Sequence, residues 1–308
     1  MRSACRDLQS PGEFADSSLA EPTRTCFSDY RMLRTSAFLW ALTIVSLPTS
    51  VTAGPNLKES FLPEKDAIPD LTQTDPKGNF AGGGKNFCAP VAVSNSFMAI
   101  YADDLKWNDV THYDLVNKLA SLPFMNTDLS KGTNVRQLMR GVEHFLRERG
   151  EKDYYLKFQG WRRHDNRHRT GISEPQFSWI KHILAQNGSV WLNVGWYQRT
   201  LEENTLKRIG GHWVTAVGYG QTASGTSNSA IIVIHDPAPR AGMVPDREFV
   251  KLTRIEHGIL RGTMRNLPRP ARNLYRMEGG MHVKPGAQFA ILDGAVGLRL
   301  KPTTPVKR

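Results

Sequence analysis

Cysteine is scarce: 308 residues contain three, Cys5, Cys26 and Cys88. A chain this long buries a full hydrophobic core and has no need of a disulfide frame. Acidic residues are also in short supply, 29 against 40 basic, for a formal net charge of +11. Residues 1–53 hold five of each sign, whereas residues 237–308 hold 14 basic and five acidic residues, so the excess is C-terminal. That segment is scattered, interrupted by Pro268 and Pro270, and free of any nucleic-acid motif. No nucleic-acid partner is expected; anionic envelope polymers or a membrane surface fit the charge better. The run Gly82-Gly83-Gly84 lacks the Lys-Ser/Thr of a phosphate loop. No internal repeat is found. His164 and His168 stand four apart among arginines, with no cysteine or acidic cluster to complete a metal site, so neither metal nor cofactor is expected and 161–169 reads as a solvated loop. What remains, 40% hydrophobic and 22% charged residues with 26 glycines and 18 prolines, is globular and rich in turns.

Long apolar runs are absent too, apart from about a dozen residues at 36–47, preceded by Arg31 and Arg34 and followed by Pro48 and Val51-Thr52-Ala53. A basic start, a short apolar stretch and a small-residue exit describe a secretory signal at 32–53, cleaved near Ala53. The rival readings are an uncleaved anchor or a buried helix. Residues 1–31 read as an overcalled start or a disordered leader, with Met32 the alternative start. Cleavage would leave Cys88 as the lone thiol of an exported protein, periplasmic or extracellular, where thiols usually pair. It is then either a buried filler or a reactive group.

Residues 54–68 read as a linker, and prolines and glycines break any period through Lys85. A helix opens at Cys88, with Pro90 in its first turn, and runs through Val91, Asn95 and Met98. A second is expected from a Thr111 capping box, a third over 133–149 with Leu138, Val142 and Phe145 inward, and a fourth from a capping box at Ser173. The period then changes to two at 189–196, 212–219, 230–235, 249–255 and 288–292. Residues 261–276 read as a surface excursion. Helices first and strands after give an α+β class with a largely antiparallel sheet. A domain at 69–245 would be followed by a basic extension at 246–308 whose strands complete or flank the sheet.

Cys88 at a helix start faces unpaired amides and the positive end of the helix dipole, which stabilise an anion. His212 begins a strand in Gly210-Gly211-His212-Trp213-Val214, and Asp236 ends the next in His235-Asp236-Pro237. Adjacent strands would let the carboxylate orient the imidazole toward the thiol. The plain alternative is a small core residue, a satisfied histidine and a turn former.

These residues carry a resemblance. Phe87-Cys88-Ala89-Pro90-Val91-Ala92, Gly211-His212-Trp213-Val214 with Val217-Gly218-Tyr219, and His235-Asp236-Pro237 resemble the papain-like cysteine peptidases of the C39-like group, related to the peptidases that trim bacteriocin leaders. The likeness spans roughly residues 69–240. It implies a papain-like α+β fold, a peptide or protein substrate, Cys88 as nucleophile, His212 as base and then acid, and Asp236 as orienting residue. The family usually has a glutamine shortly before the cysteine to serve the oxyanion. The six residues before Cys88 contain none. Gln73 matches the family segment across an insertion, and Asn86 is the alternative donor. Hydrolysis and transpeptidation share the same first half-reaction, and the displaced glutamine also fits a weak or inactive domain that only binds peptide or envelope polymer.

Overall fold

A helix buried on every side organises the fold. In the computed structural model, which describes residues 58–105, 109–239, 246–262 and 267–301, α1 (Cys88–Ile100) carries no charged residue and is buried from Cys88 to Met98. A helix without charge on any face belongs in an interior, and its polar residues Ser94 and Ser96 are hydrogen-bonded there. Against one side pack α3 (Asp109–Ala120) and α4 (Val135–Glu148), with the single turn α2 (Ala102–Leu105) following α1 directly. The α4 capping box is complete: Asn134 Oδ1 accepts from Gln137 N and Gln137 Oε1 accepts from Asn134 N, both at 3.0 Å. Its apolar stripe, Leu138, Val142 and Phe145, closes on α1, where Phe145 stacks on Phe97 at 4.5 Å.

Two helix starts differ from expectation. Helix α3 begins at Asp109, so Thr111 lies within its first turn and does not cap it. Helix α5 (Phe177–Ala185) has Gln176 at its N-cap with no side-chain cap bond, and Ser173, three residues earlier, donates its Oγ to Glu174 Oε1 at 2.7 Å instead of capping a helix.

The other side of α1 meets a nine-stranded sheet: β1 (Tyr154–Gly160), β2 (Ser189–Arg199), β3 (Thr205–Gln221), β4 (Ser227–His235), β5 (Glu248–Arg254), β6 (Ile259–Arg261), β7 (Arg269–Pro270), β8 (Tyr275–Glu278) and β9 (Phe289–Leu300). The pairings β2–β3–β4–β5–β8–β9 return to β2, which closes six strands into a ring. All are antiparallel; only β6 runs parallel to its neighbour β3. The class is therefore α+β with a large mixed sheet. It is not a strict helices-then-strands order, since β1 separates α4 from α5.

The pleat divides the side chains. Leu192, Val194, Val214, Ala216, Ile232, Ile234, Val250 and Leu252 form one cluster with α5, while Trp191 and Trp213 point the other way, onto α1. Two bulges switch the parity. Val217 drops out of the β3–β4 ladder, so Tyr219 rejoins the cluster of Val214 and Ala216. Asp293 drops out of the β2–β9 ladder, so Leu292 and Ala295 share a cluster. An extra residue in one strand does this because strand side chains alternate with period two.

The C-terminal strands are integral to the sheet, with β9 bonded to β1, β2 and β8. Within the expected surface excursion, Ala271 and Leu274 are buried beside Tyr197 and Leu260. The described part of the expected linker is docked as well: Phe61 and Tyr219 exchange backbone hydrogen bonds at 3.0 and 2.8 Å. The expected leader and signal at 1–53 lie outside the described residues, among which no helix is long and apolar enough to cross a membrane.

Candidate active site

The turn before α1 delivers Cys88 to the helix start. Residues Ala81–Gly84 form a 3-10 turn in which Gly82, Gly83 and Gly84 take φ of +62°, +64° and +71°. At Gly84 the requirement is steric as well, since a Cβ there would fall 1.6 Å from the Gln73 carbonyl oxygen. The Phe87 N–H then bonds Gly84 O at 2.9 Å, and α1 begins. The helix is fixed to the sheet by Thr215 Oγ1 donating to Ala92 O at 2.7 Å and Trp191 Nε1 donating to Ser96 Oγ at 3.1 Å. The first-turn amides of Cys88 and Ala89 have no intrahelical acceptor, and Pro90 has no N–H to offer.

His212 lies opposite Val194 on β2. The pairing of Thr215 with His235 brings Asp236, one residue beyond β4, back alongside the start of the shared ladder. His212 Nε2 is 2.6 Å from Asp236 Oδ1, which leaves Nδ1 for the Cys88 side chain, close enough to favour the charged ring. Cys88 and the His212–Asp236 pair thus share one site. Trp196 stacks on the His212 ring at 5.1 Å and 17°. The carboxylate is held from both sides, Oδ1 also accepting from Ala238 N and Oδ2 from His282 N, both at 2.9 Å.

Electrostatics follow from this arrangement. Burial disfavours the His212 cation, but the Asp236 carboxylate and the Cys88 side chain outweigh it and raise its pKa to about 10. For Asp236, burial works against the anion, while His212 and the Ala238 and His282 amides prevail and hold its pKa below the usual carboxylate value. The pair is an imidazolium and a carboxylate at neutral pH.

Cys88 and His212 line a cavity of about 370 Å³, with Asn86, Asn193, Arg162 and Arg208 also in its wall. Gln73 is not among the lining residues. It is buried behind the turn, where Nε2 donates to Gly84 O at 3.1 Å and Lys85 O at 2.8 Å, and its backbone N–H bonds Pro237 O at 2.8 Å. The opposite amide orientation would set an oxygen against two carbonyls. Its Oε1 is buried without a partner. Gln73 therefore couples the loop before Cys88 to the loop after Asp236. Asn86 does face the cavity, its Nδ2 donating to Leu129 O at 2.6 Å.

Sequence reasoning missed Trp196, legible only as an apolar strand residue, and the polar wall opposite. There Asp293, fully buried at its bulge, accepts from Arg208 Nε at 2.8 Å and Tyr197 Oη at 2.7 Å. The expected solvated loop 161–169 places Arg162 in that wall and buries His168 beside Glu143 at 3.4 Å. His164 bonds Arg162 O at 2.8 Å. Among the described residues no group of three or more His, Cys, Asp or Glu side chains could hold a metal ion.

No protein-family model matches the chain, and a search of curated proteins finds no match.

Proposed function

We propose that the protein is an exported cysteine peptidase of papain-like type, resembling the C39-like group, that hydrolyses peptide bonds through a thioester on Cys88. The observation that carries this reading is the buried His212–Asp236 pair set beside Cys88 in the wall of one cleft.

The steps follow from the groups present. Attack starts from the state in which the thiol proton already rests on His212 Nδ1, an imidazolium that Asp236 on Nε2 stabilises. The thiolate sulfur bonds to the substrate carbonyl carbon, and the carbonyl π pair becomes an oxyanion that the free Cys88 N–H receives at the helix start. On collapse the C–N bond breaks, and His212 delivers its proton to the leaving amine. A water then gives a proton to His212 as its oxygen bonds to the thioester carbon. The C–S bond breaks, which releases the acid and returns the sulfur to its starting state with the proton on His212. An amine in place of that water would make the reaction a transpeptidation.

Iodoacetamide alkylation of the intact protein, located by peptide mass mapping, tests the nucleophile. Rapid alkylation of Cys88 that slows at least tenfold in His212→Ala is expected, together with loss of peptide hydrolysis in Cys88→Ala. A Cys88 that resists alkylation in the folded protein overturns the reading. One observation favours a second reading, a domain that binds peptide or envelope polymer without turnover: both N–H bonds of the Gln73 amide are directed at Gly84 and Lys85, away from an oxyanion.

A further inference from the structure

The wall of the cleft facing Cys88 holds more positive charge than it neutralises. Arg208 and Arg162 both line the cavity. The buried Asp293 is bonded to Arg208 and Tyr197. Among the described residues Arg162 makes no salt bridge; its guanidinium lies over the Trp161 ring at 5.0 Å, it is repelled by Arg208, and the one carboxylate that attracts it, Asp293, is already bonded to Arg208. The one acidic residue in the cavity lining, Asp128, turns its Oδ1 to the Ser130 and Lys131 amides at 2.8 and 3.0 Å.

Arg162 also lines a second cavity of about 300 Å³, together with Arg163, Arg169 and Arg269, and no Asp or Glu borders it, although Arg269 reaches Glu174 outside the lining at 2.8 Å. Two donors of its lining residues, Trp161 Nε1 and Arg269 Nε, are buried without an acceptor. Buried donors without acceptors are costly. An anion in the cleft supplies the charge that Arg162 lacks, and guanidinium forks match a carboxylate in particular.

We propose that the cleft continues from Cys88 into a carboxylate-binding subsite centred on Arg162, so that the substrate is an acidic peptide. This rests on the peptidase reading for the scissile bond and on the arginine wall for the acid. The carboxylate belongs either to an Asp or Glu side chain or to a free C-terminus. Both present the same planar pair of oxygens.

The test uses the Cys88→Ala full chain, which binds without turning over. Calorimetric titration is run with acetylated, amidated pentapeptides of alanine whose central residue is Asp, Glu, Asn or Gln, and with the alanine peptide bearing a free C-terminal carboxylate. Expected is at least tenfold tighter binding of the Asp and Glu peptides, or of the free-acid peptide, than of the neutral ones. Which acid wins identifies its source. Arg162→Gln should bring all five peptides within about twofold of one another, and Arg162→Lys should restore part of the preference, with circular dichroism confirming that both variants fold. Equal binding of acidic and neutral peptides, no binding of any, or a preference that survives Arg162→Gln overturns the subsite. Alkylation of Cys88 in the unmutated protein reports separately. Acid preference with an inert Cys88 sinks the peptidase reading and keeps the subsite; a reactive Cys88 without acid preference does the reverse.

Discussion

Asp236 Oδ1 sits 2.6 Å from His212 Nε2 and also accepts the Ala238 N–H, so a single oxygen fixes both the ring and the turn after β4. The contact joins two neighbouring strands across a buried, water-poor boundary, where an ion pair is stronger than at the surface. Removing the charge while keeping the shape isolates its electrostatic part. In Asp236→Asn the His212 pKa, held at about 10, should fall, because the anion that stabilises the imidazolium is gone. Imidazole resonances followed by NMR across pH check this. A pKa that stays in place would mean that the carboxylate is not what holds the proton.

A second buried histidine sets the acid limb of stability. His112 is buried with Nε2 2.9 Å from Ser94 Oγ, and burial lowers its pKa to about 4. Between about 4 and the unfolded value of 6.5 the unfolded chain binds a proton that the folded chain refuses. The stabilisation is complete above pH 6.5 and is lost as pH falls through 4, on the order of 3 kcal/mol in all. Denaturant titrations at stepped pH should show that slope, and His112→Gln should flatten it. The His212 contribution has the opposite sign: with a raised pKa, it is fully present below 6.5 and is lost as pH rises through about 10.

The order Cys88, His212, Asp236 was legible because Cys88 opens an uncharged helix and Asp236 follows a strand of period two; His212, expected to begin a strand, lies in the middle of β3, which starts at Thr205 because its polar first half carries no apolar period. The fit of Gln73 behind the glycine turn was legible only as a residue type, since its partners are backbone carbonyls and carry no side-chain signature. Arg162 was hidden in a charge run that reads as solvent-facing. Only the approach of Arg208, on a strand far along the chain, turns it into a wall of the cleft. The bulges at Val217 and Asp293 depend on how partner strands align, and β6, β7 and β8 are too short for any period to declare itself.

The glycine turn offers a paired comparison. Gly83 and Gly84 both have positive φ, but a Cβ at Gly83 meets open space while one at Gly84 meets the Gln73 carbonyl. Gly83→Ala should cost only the left-handed penalty of about 1–2 kcal/mol and leave turnover near normal. Gly84→Ala must move either Gln73 or the start of α1, so thermal stability should fall further and turnover with it. Equal effects of the two substitutions would show that the Gln73 contact does not control the turn.

Export has its own readout. Expression from Met32 in a bacterial host should release a protein whose N-terminus, by mass spectrometry, lies near Gly54. Retention of residues 36–47 in the membrane fraction would change a secreted protein into an anchored one and leave the site chemistry untouched.

The oxyanion donor is where geometry and resemblance pull apart. Gln73 supports the loop that presents Cys88, and its amide bonds to Gly84 O and Lys85 O are each worth about 1 kcal/mol. If the amide also turns to the tetrahedral intermediate, Gln73→Ala should lower kcat by roughly a hundredfold or more, as losses of an oxyanion donor do elsewhere. Iodoacetamide alkylation, which forms no oxyanion, should then change little. Asn86→Ala should be mild, since its Nδ2 is already engaged by Leu129 O. The decisive variant is Gln73→Glu. It keeps the shape but sets a carboxylate against both carbonyls, so stability should fall on either reading; a catalytic amide predicts that kcat falls much further than alkylation, whereas a loop anchor alone predicts that the two fall together. Should Asn86→Ala abolish turnover while Gln73→Ala spares it, the donor is on the loop beside Cys88, and the correspondence of Gln73 with the family glutamine fails while Cys88, His212 and Asp236 keep their roles.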